Sequence, residues 1–381
     1  MIGKRYAIGE QDFKKIITGD GIYIDKTQFI IKLLERWQFF FLSRPRRFGK
    51  SLFVSTLENF FLGRRELFKG LAIDSYPWDW ETYPVVRIDL SEGDFSRPEG
   101  LEERLFEIIS EIEEEHNISP SGNTPRARMR NLLRKMAEIY QKNVVILIDE
   151  YEKPLLDTIF EPHFDTYKSQ LHDFYSVFKN NSSIIRFLFI TGVTRFGHLN
   201  IFSGLNNLVD ISLKDDFAAI CGFTEEEMRA NISKGIEYFG EKQHLDFDQA
   251  IEKLKYYYDG YHFSKSLVDI YNPFSLLDSL SEGNLSTNWF QSGSSSFLVE
   301  LIKEKNYDLG NIEGIEVTEL RLMTINSTLS DPIPLLYQSG YLTIKSYSPE
   351  LETYTLGYPN YEVKKGVLEI LIPLYLGQPA N

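Results

Sequence analysis

The sequence predicts an α/β fold of three layers around a parallel sheet, followed by a helical subdomain and a tail with a winged-helix-like ending. Three observations carry this. Short apolar runs alternate with amphipathic stretches through residues 1–215, helix-start signals crowd residues 216–305, and in 306–381 a short helix, a glycine turn and two strand-like runs come in succession. A chain of 381 residues accommodates two or three domains at about 100–200 residues each.

The runs Gln38 to Leu42, Val85 to Leu90, Val144 to Ile148 and Phe187 to Ile190 are short, β-branched or aromatic, and bounded by polar positions. A strand covered on both faces needs no polar alternation, so such runs suit the interior of a parallel sheet. Between them apolar residues recur at helical spacing. Leu101, Leu105, Ile108, Ile109 and Ile112 share one face, Met129, Leu132, Leu133 and Met136 a second, and Phe164, Leu171, Phe174, Tyr175 and Phe178 a third. Parallel strands need crossovers, and these helices supply them.

After Asp215 the pattern changes. Thr224 and Glu227 match a capping box that opens a helix to about Phe239. A second helix covers Phe247 to Tyr258 and stops at Asp259-Gly260, and Asn272-Pro273 starts another with proline at its favoured first position. Serines at 292–296 precede a helix over Phe297 to Lys305. The tail then reads as a helix over Pro332 to Tyr337, a turn at Gly340, and strands at Tyr341 to Lys345 and Thr353 to Leu356.

Composition excludes several classes. Apolar residues at 43% and charged residues at 25% are globular proportions, so disorder fails as a description of the whole. A formal charge of −14 argues against a surface that wraps nucleic acid, while leaving room for a local basic patch. The lone cysteine, Cys221, excludes a disulfide framework and a thiolate zinc site. No apolar run reaches the length of a bilayer span and no signal peptide is visible, so a cytoplasmic protein without membrane contact is expected.

The most informative stretch is Phe39 to Leu52, FFFLSRPRRFGKSL. An apolar strand enters a loop ending Gly49-Lys50-Ser51, and an apolar-periodic helix follows. The phosphate-binding pattern G-x-x-x-x-G-K-[ST] is matched at its second glycine, lysine and serine, while Arg44 stands at the first glycine position. Gly49 lets backbone approach phosphates and the helix start offers free N–H groups, which brings Arg46, Arg47, Phe48 and Leu52 into the binding set. Lys50 would reach the β- and γ-phosphates of ATP, and the Ser51 hydroxyl would hold Mg²⁺. Arg44, Arg46 and Arg47 crowd three more cations into the same loop, where a polyphosphate would be held. A bare G-K-S triplet at a surface is the competing reading; the flanking strand and helix count against it.

Val144 to Ile148 runs into Asp149-Glu150, the acidic strand end that such a loop needs. Asp149 would support Mg²⁺ and Glu150 would polarise the attacking water. The next strand ends in Thr191-Gly192-Val193-Thr194-Arg195, where Thr191 and Arg195 could sense the γ-phosphate, or where Thr and Gly could simply hold a turn. Glu152 and Asp157 could reach the site or cap a helix. The six histidines show no paired ligand spacing, and Glu362-Val363-Lys364 matches only the last three residues of a restriction-type nuclease motif, with no upstream strand acid.

Further segments join these: Ile8-Gly9-Glu10-Gln11-Asp12-Phe13, Tyr23-Ile24-Asp25-Lys26-Thr27, Ile148 to Pro154, Phe202 to Asn207, Gly222-Phe223-Thr224, Tyr258-Asp259-Gly260-Tyr261 and Tyr271-Asn272-Pro273. In combination the chain resembles the bacterial and archaeal AAA-ATPase-like proteins that usually carry a C-terminal nuclease domain of the PD-(D/E)xK type. The resemblance implies an AAA-like P-loop core, a helical lid and a winged-helix-like tail, and Arg44 matches that family's own version of the loop. In the family Thr355 to Asn360 leads into the nuclease, which is expected to be missing here, so nuclease activity is not carried over. Asp25-Lys26-Thr27 could line the nucleotide or cap the first helix. The expectation is an ATP- and Mg²⁺-binding protein that hydrolyses ATP to move its lid and tail. A non-hydrolysing regulatory or DNA-associated module is the alternative, and a protein partner or self-association is a likelier use of the tail than DNA.

Overall fold

The computed structural model describes residues 5–36, 38–196, 201–202, 205, 207–287, 289, 312–325 and 330–375, without the side chains of 370–375. Two short helices lead, α1 (Phe13–Thr18) and α2 (Gln28–Leu34). The core follows as β1 (Phe39–Ser43), α3 (Lys50–Phe61), β2 (Val85–Asp89), α4 (Gly100–Glu115), α5 (Pro125–Tyr140), β3 (Val144–Asp149), α6 (Lys153–Asp157), α7 (Phe164–Asn180), β4 (Ile185–Gly192) and β5 (Val209–Asp210). The five strands lie in the order β2-β3-β4-β1-β5 and every pairing is parallel.

The three layers follow from the side-chain alternation of the strands. Phe187 and Phe189 of β4 point to α3, where Phe61 and Phe53 meet them at ring distances of 4.9 and 5.6 Å. Leu188 and Ile190 point the other way and join Ile109, Leu133 and Phe174 of α4, α5 and α7. Because both faces are covered, every position of β1 and β3 is buried, which is why these strands read as unbroken apolar runs.

The helical subdomain comprises α8 (Glu225–Asn231), α9 (Ser233–Gln243), α10 (Phe247–Tyr258) and α11 (Pro273–Glu282), with a core of its own that includes Met228, Ile236, Leu254 and Leu276. The Thr224–Glu227 capping box is formed. The single helix expected from it to Phe239 is in fact two, because Ile232 leaves helical geometry (φ −129°, ψ 22°) to bury its side chain. The helix expected at Phe297 to Lys305 lies outside the described residues.

The tail holds β6 (Glu316–Thr318), α12 (Glu319–Met323), α13 (Ile333–Gln338), β7 (Thr343–Ser348), β8 (Thr353–Gly357) and α14 (Tyr361–Tyr375). Its antiparallel sheet runs β6-β8-β7. Among the described residues this tail has no separate core: Val317, Leu336, Tyr341 and Leu356 belong to the same buried cluster as the α3 face of the large sheet. All six residues of α13 are buried. Among the described residues no helix is long and apolar enough to cross a membrane.

Candidate functional site

β1 delivers its chain to a loop, Arg44 to Gly49, that turns back into α3. Gly49 takes φ +92° as the residue before the helix, and a Cβ built there would meet nothing within 4 Å. That left-handed turn points the unpaired N–H groups of the first α3 turn into open space. Lys50 is buried, and its Nζ donates to the Pro45 carbonyl at 3.1 Å, so the ammonium folds over its own loop. A partly positive helix start beside a lysine suits a polyphosphate.

β3 ends against this turn. The Asp149 carboxylate is 1% exposed, accepts from Glu150 N at 3.0 Å and faces the Ser51 hydroxyl. Burial pushes its pKa up to about 6, Asp89 and Glu150 push the same way, and Ser51 and Lys50 oppose them. Glu150 follows at φ +48°, a left-handed conformation uncommon for a side chain of its size, and lines the cleft. The two acids therefore divide: one faces the serine, the other opens to solvent.

The cleft itself holds about 450 Å³. Arg46, Arg47, Phe48, Gly49, Lys50, Ser51, Leu52 and Glu150 form one side of it. The rest of the lining comes from two places that spacing alone did not select: the N-terminal segment, with Ala7, Gly9, Ile22 and Ile24, and the helical subdomain that would serve as the lid, with Phe223, Phe274 and Leu277. Arg47, itself at φ +66°, lays its guanidinium over the Phe274 ring at 3.7 Å, tying loop to lid. Phe48 borders the cleft, but its ring is packed edge-on against Tyr261 and Phe263 and its carbonyl accepts from Gly222 N, so it anchors the loop.

Asp25-Lys26-Thr27 turns out to join three segments. Asp25 accepts from Thr27 and from Ala72 N at 2.7 Å. The Lys26 ammonium reaches both oxygens of Glu227, at 2.6 and 2.7 Å, and the Ala219 carbonyl. The capping-box glutamate of α8 thus also ties the lid to the N-terminal segment.

Several expectations need correction. Arg44 does not face the cleft. Its buried guanidinium donates to the carbonyls of Ser43, Ser212 and Phe217 and lies 4.3 Å from the Phe263 ring, because a planar fork can satisfy three carbonyls where no glycine turn is needed. Arg195 is also elsewhere: it pairs with Asp210 of β5 at 2.9 Å and lines a separate cavity. Thr191 lies on the α3 face of β4 with its Oγ1 buried and unpartnered among the described residues, and it is not part of the cleft lining. Glu152 neither enters the cleft nor caps α6; it accepts from Val193 N and Thr194 N, and burial pushes its pKa up to about 7. Asp157 pairs with Lys153. Glu362 sits on a helix, accepting from Ser275 Oγ and Trp289 N, while Lys364 pairs with Glu313, so the nuclease-like triplet brings no acid and lysine together.

The tail rests on the loop. A Cβ at Gly340 (φ +89°) would come within 2.8 Å of the Pro45 Cβ, so only glycine fits this turn. Gln338 accepts from Arg195 N at 2.6 Å, and Trp289 Nε1 donates to the Arg46 carbonyl at 3.4 Å.

The family model for the predicted AAA-ATPases matches residues 7–202. The chain belongs to that family. A curated relative from Azotobacter chroococcum mcd 1, named "Uncharacterized protein in vnfD 5'region", is 36% identical over 386 residues, covering 100% of this chain and 72% of its own length. Among solved structures, the Aeropyrum pernix ORC2 protein with ADPNP and ADP is 13% identical with a TM-score of 0.33, over 93% of this chain and 94% of that one. The Aeropyrum pernix ORC1 protein in complex with DNA is 10% identical with a TM-score of 0.35, over 92% and 93%.

Proposed function

We propose that this AAA-ATPase family member binds ATP with Mg²⁺ in the cleft and hydrolyses it, the nucleotide state acting on the lid and tail. The observation that supports this most is the meeting of the Gly49 turn, Lys50, Ser51 and Glu150 in the lining of one cleft, with the buried Asp149 facing Ser51. The residues fit the metal: a hydroxyl and a buried carboxylate that face each other supply two hard oxygens, and a nucleotide would bring more. Ser51 and Asp149 would hold the ion, which neutralises charge on the β- and γ-phosphates when bound.

The chain's own groups then have distinct tasks. The N–H groups of the first α3 turn and Lys50 hold the phosphates, Arg46 and Arg47 add charge from the loop, and the lid and N-terminal segment enclose the base. Glu150 takes the proton as water attacks the γ-phosphorus and ADP departs. No arginine outside the loop lines the cleft among the described residues, so hydrolysis by the isolated chain is slow.

Coupling to the tail rests on its contacts with Pro45 and Arg195, and Trp289 of the helical subdomain adds one to Arg46. The DNA-associated alternative finds little support. The helix α13 is wholly buried, and the four tail cations are engaged: Arg321 with Asp331, Lys345 with the Pro359 carbonyl, Lys364 with Glu313 and Lys365 near Glu369. Phosphate release with Mg²⁺-ATP tests the reading. Glu150→Gln should bind ATP and release no phosphate above background; equal release by wild type and variant sinks the hydrolysis.

A further inference from the structure

β2 is an outer strand of the five-stranded sheet, and its free side is open among the described residues. In a strand, alternate residues turn both backbone groups to the same neighbour. The Pro84 carbonyl accepts from Val145 N at 2.9 Å and Leu90 N donates to the Asp149 carbonyl at 3.2 Å, so the even-numbered residues face β3. The N–H and C=O groups of Val85 and Arg87 therefore point outward. The groups on either side of them are capped: Tyr83 N donates to the Phe61 carbonyl at 2.8 Å, Lys142 to the Thr82 carbonyl at 3.1 Å and Arg104 to the Asp89 carbonyl at 3.4 Å. What stays open is a short ladder in the middle.

This edge forms the floor of a groove of about 470 Å³ between α3 and α4. On the α4 wall Ile108 and Ile112 are buried, while Glu111 and Glu115 stand exposed above them. On the α3 wall Glu58 pairs with Arg87 at 2.9 Å, whereas neither Glu111 nor Glu115 has an ion-pair partner among the described residues. Open edges are commonly defended by charge; here the Arg87 side chain turns to Glu58 and the unpaired acids sit on the α4 wall, which leaves the backbone accessible.

We propose that this groove docks an extended cationic segment of a partner protein, which adds to β2 as a sixth strand. Its backbone would bond Val85 and Arg87. Side chains on the α4 side would lay aliphatic stems over Ile108 and Ile112 and bring Lys or Arg heads to Glu111 and Glu115. A second copy pairing edge to edge would set these glutamates against their own kind, and a nucleic acid would meet them with phosphates. This assignment does not depend on what occupies the nucleotide cleft.

The test is fluorescence anisotropy with a labelled hexapeptide of alternating lysine and valine. Wild type should bind it saturably, and raising salt should weaken binding at least tenfold. The same peptide with alternate amides methylated on the face that meets β2 should lose a further tenfold or more. Arg87→Pro removes one outward N–H together with the Glu58 pair and leaves the β3 ladder whole, so it should stay folded and lose the peptide, while Arg87→Ala, which lacks only the pair, should stay folded and keep it. The double variant Glu111→Lys, Glu115→Lys should prefer an alternating glutamate–valine peptide. Four results overturn the proposal: no binding to wild type at millimolar peptide, equal binding of the methylated peptide, undiminished binding by folded Arg87→Pro, or a wild-type dimer abolished by Arg87→Pro.

Discussion

Arg44 occupies the place where the general phosphate-loop pattern has glycine, and restoring that glycine should damage the protein. The Arg44 guanidinium bonds the Ser212 carbonyl at 2.8 Å and the Phe217 carbonyl at 3.0 Å, joining the loop to two segments far along the chain, and it covers Phe263. Arg44→Gly strands those two buried carbonyls at about 1–3 kcal/mol each and leaves empty space over the ring. Part of that is recovered because a cation no longer has to be desolvated, so the expected net loss is about 3–4 kcal/mol. At about 2.1 cal/mol/K per residue, that lowers the melting temperature of a chain this long by about 4–5 °C. Arg44→Lys cannot span both carbonyls and should lose about half as much. Calorimetry with and without nucleotide reads both effects, and nucleotide affinity should not rise in the glycine variant. An Arg44→Gly protein that melts like wild type and binds ATP more tightly would refute the clamp.

Three further outcomes are expected. Lys26→Ala leaves Glu227 without its cation at the seam between N-terminal segment and lid; it should cost about 3 kcal/mol and speed hydrogen exchange in α8 while the sheet core stays protected. Gly340→Val clashes with Pro45 and forces a β-branched residue to φ +89°; nucleotide affinity, measured by titration, should fall although no cleft residue has changed. Glu152, raised from 4.5 to about 7, binds its proton more tightly when folded, so its stabilisation is complete below pH 4.5 and is lost as pH rises through about 7. Over that window the loss is about 3 kcal/mol, and melting followed from pH 5 to 8 should fall less steeply for Glu152→Gln than for wild type.

What could be read from the chain was local. Gly49, Lys50 and Ser51 between an apolar strand and an apolar-periodic helix, and Asp149-Glu150 at the end of a buried run, declare themselves within a few positions of each other. The site's remaining walls are built by partners far apart in sequence. Lys26 meets Glu227 201 residues on, and Arg44 meets Phe217 173 residues on. A cationic cluster at Arg44 to Lys50 therefore read as one phosphate cradle, although one of its arginines points into the protein. Arg195 was misplaced for a related reason: its partner Asp210 lies on a strand of two residues, too short to leave a pattern. The tail's helix and hairpin were legible as elements, but nothing in their spacing shows that α13 is buried against the core.

The central claim is tested most directly by the melting temperature with ATP, with ATP and Mg²⁺, and with neither, on wild type and Lys50→Ala. A ligand at 100 times its Kd stabilises by about 2.7 kcal/mol. Wild type should shift upward with ATP and further with Mg²⁺, and Lys50→Ala should not shift at all. Identical shifts in the two proteins would place the nucleotide outside the cleft, and no shift in wild type at millimolar Mg²⁺-ATP would contradict the account outright.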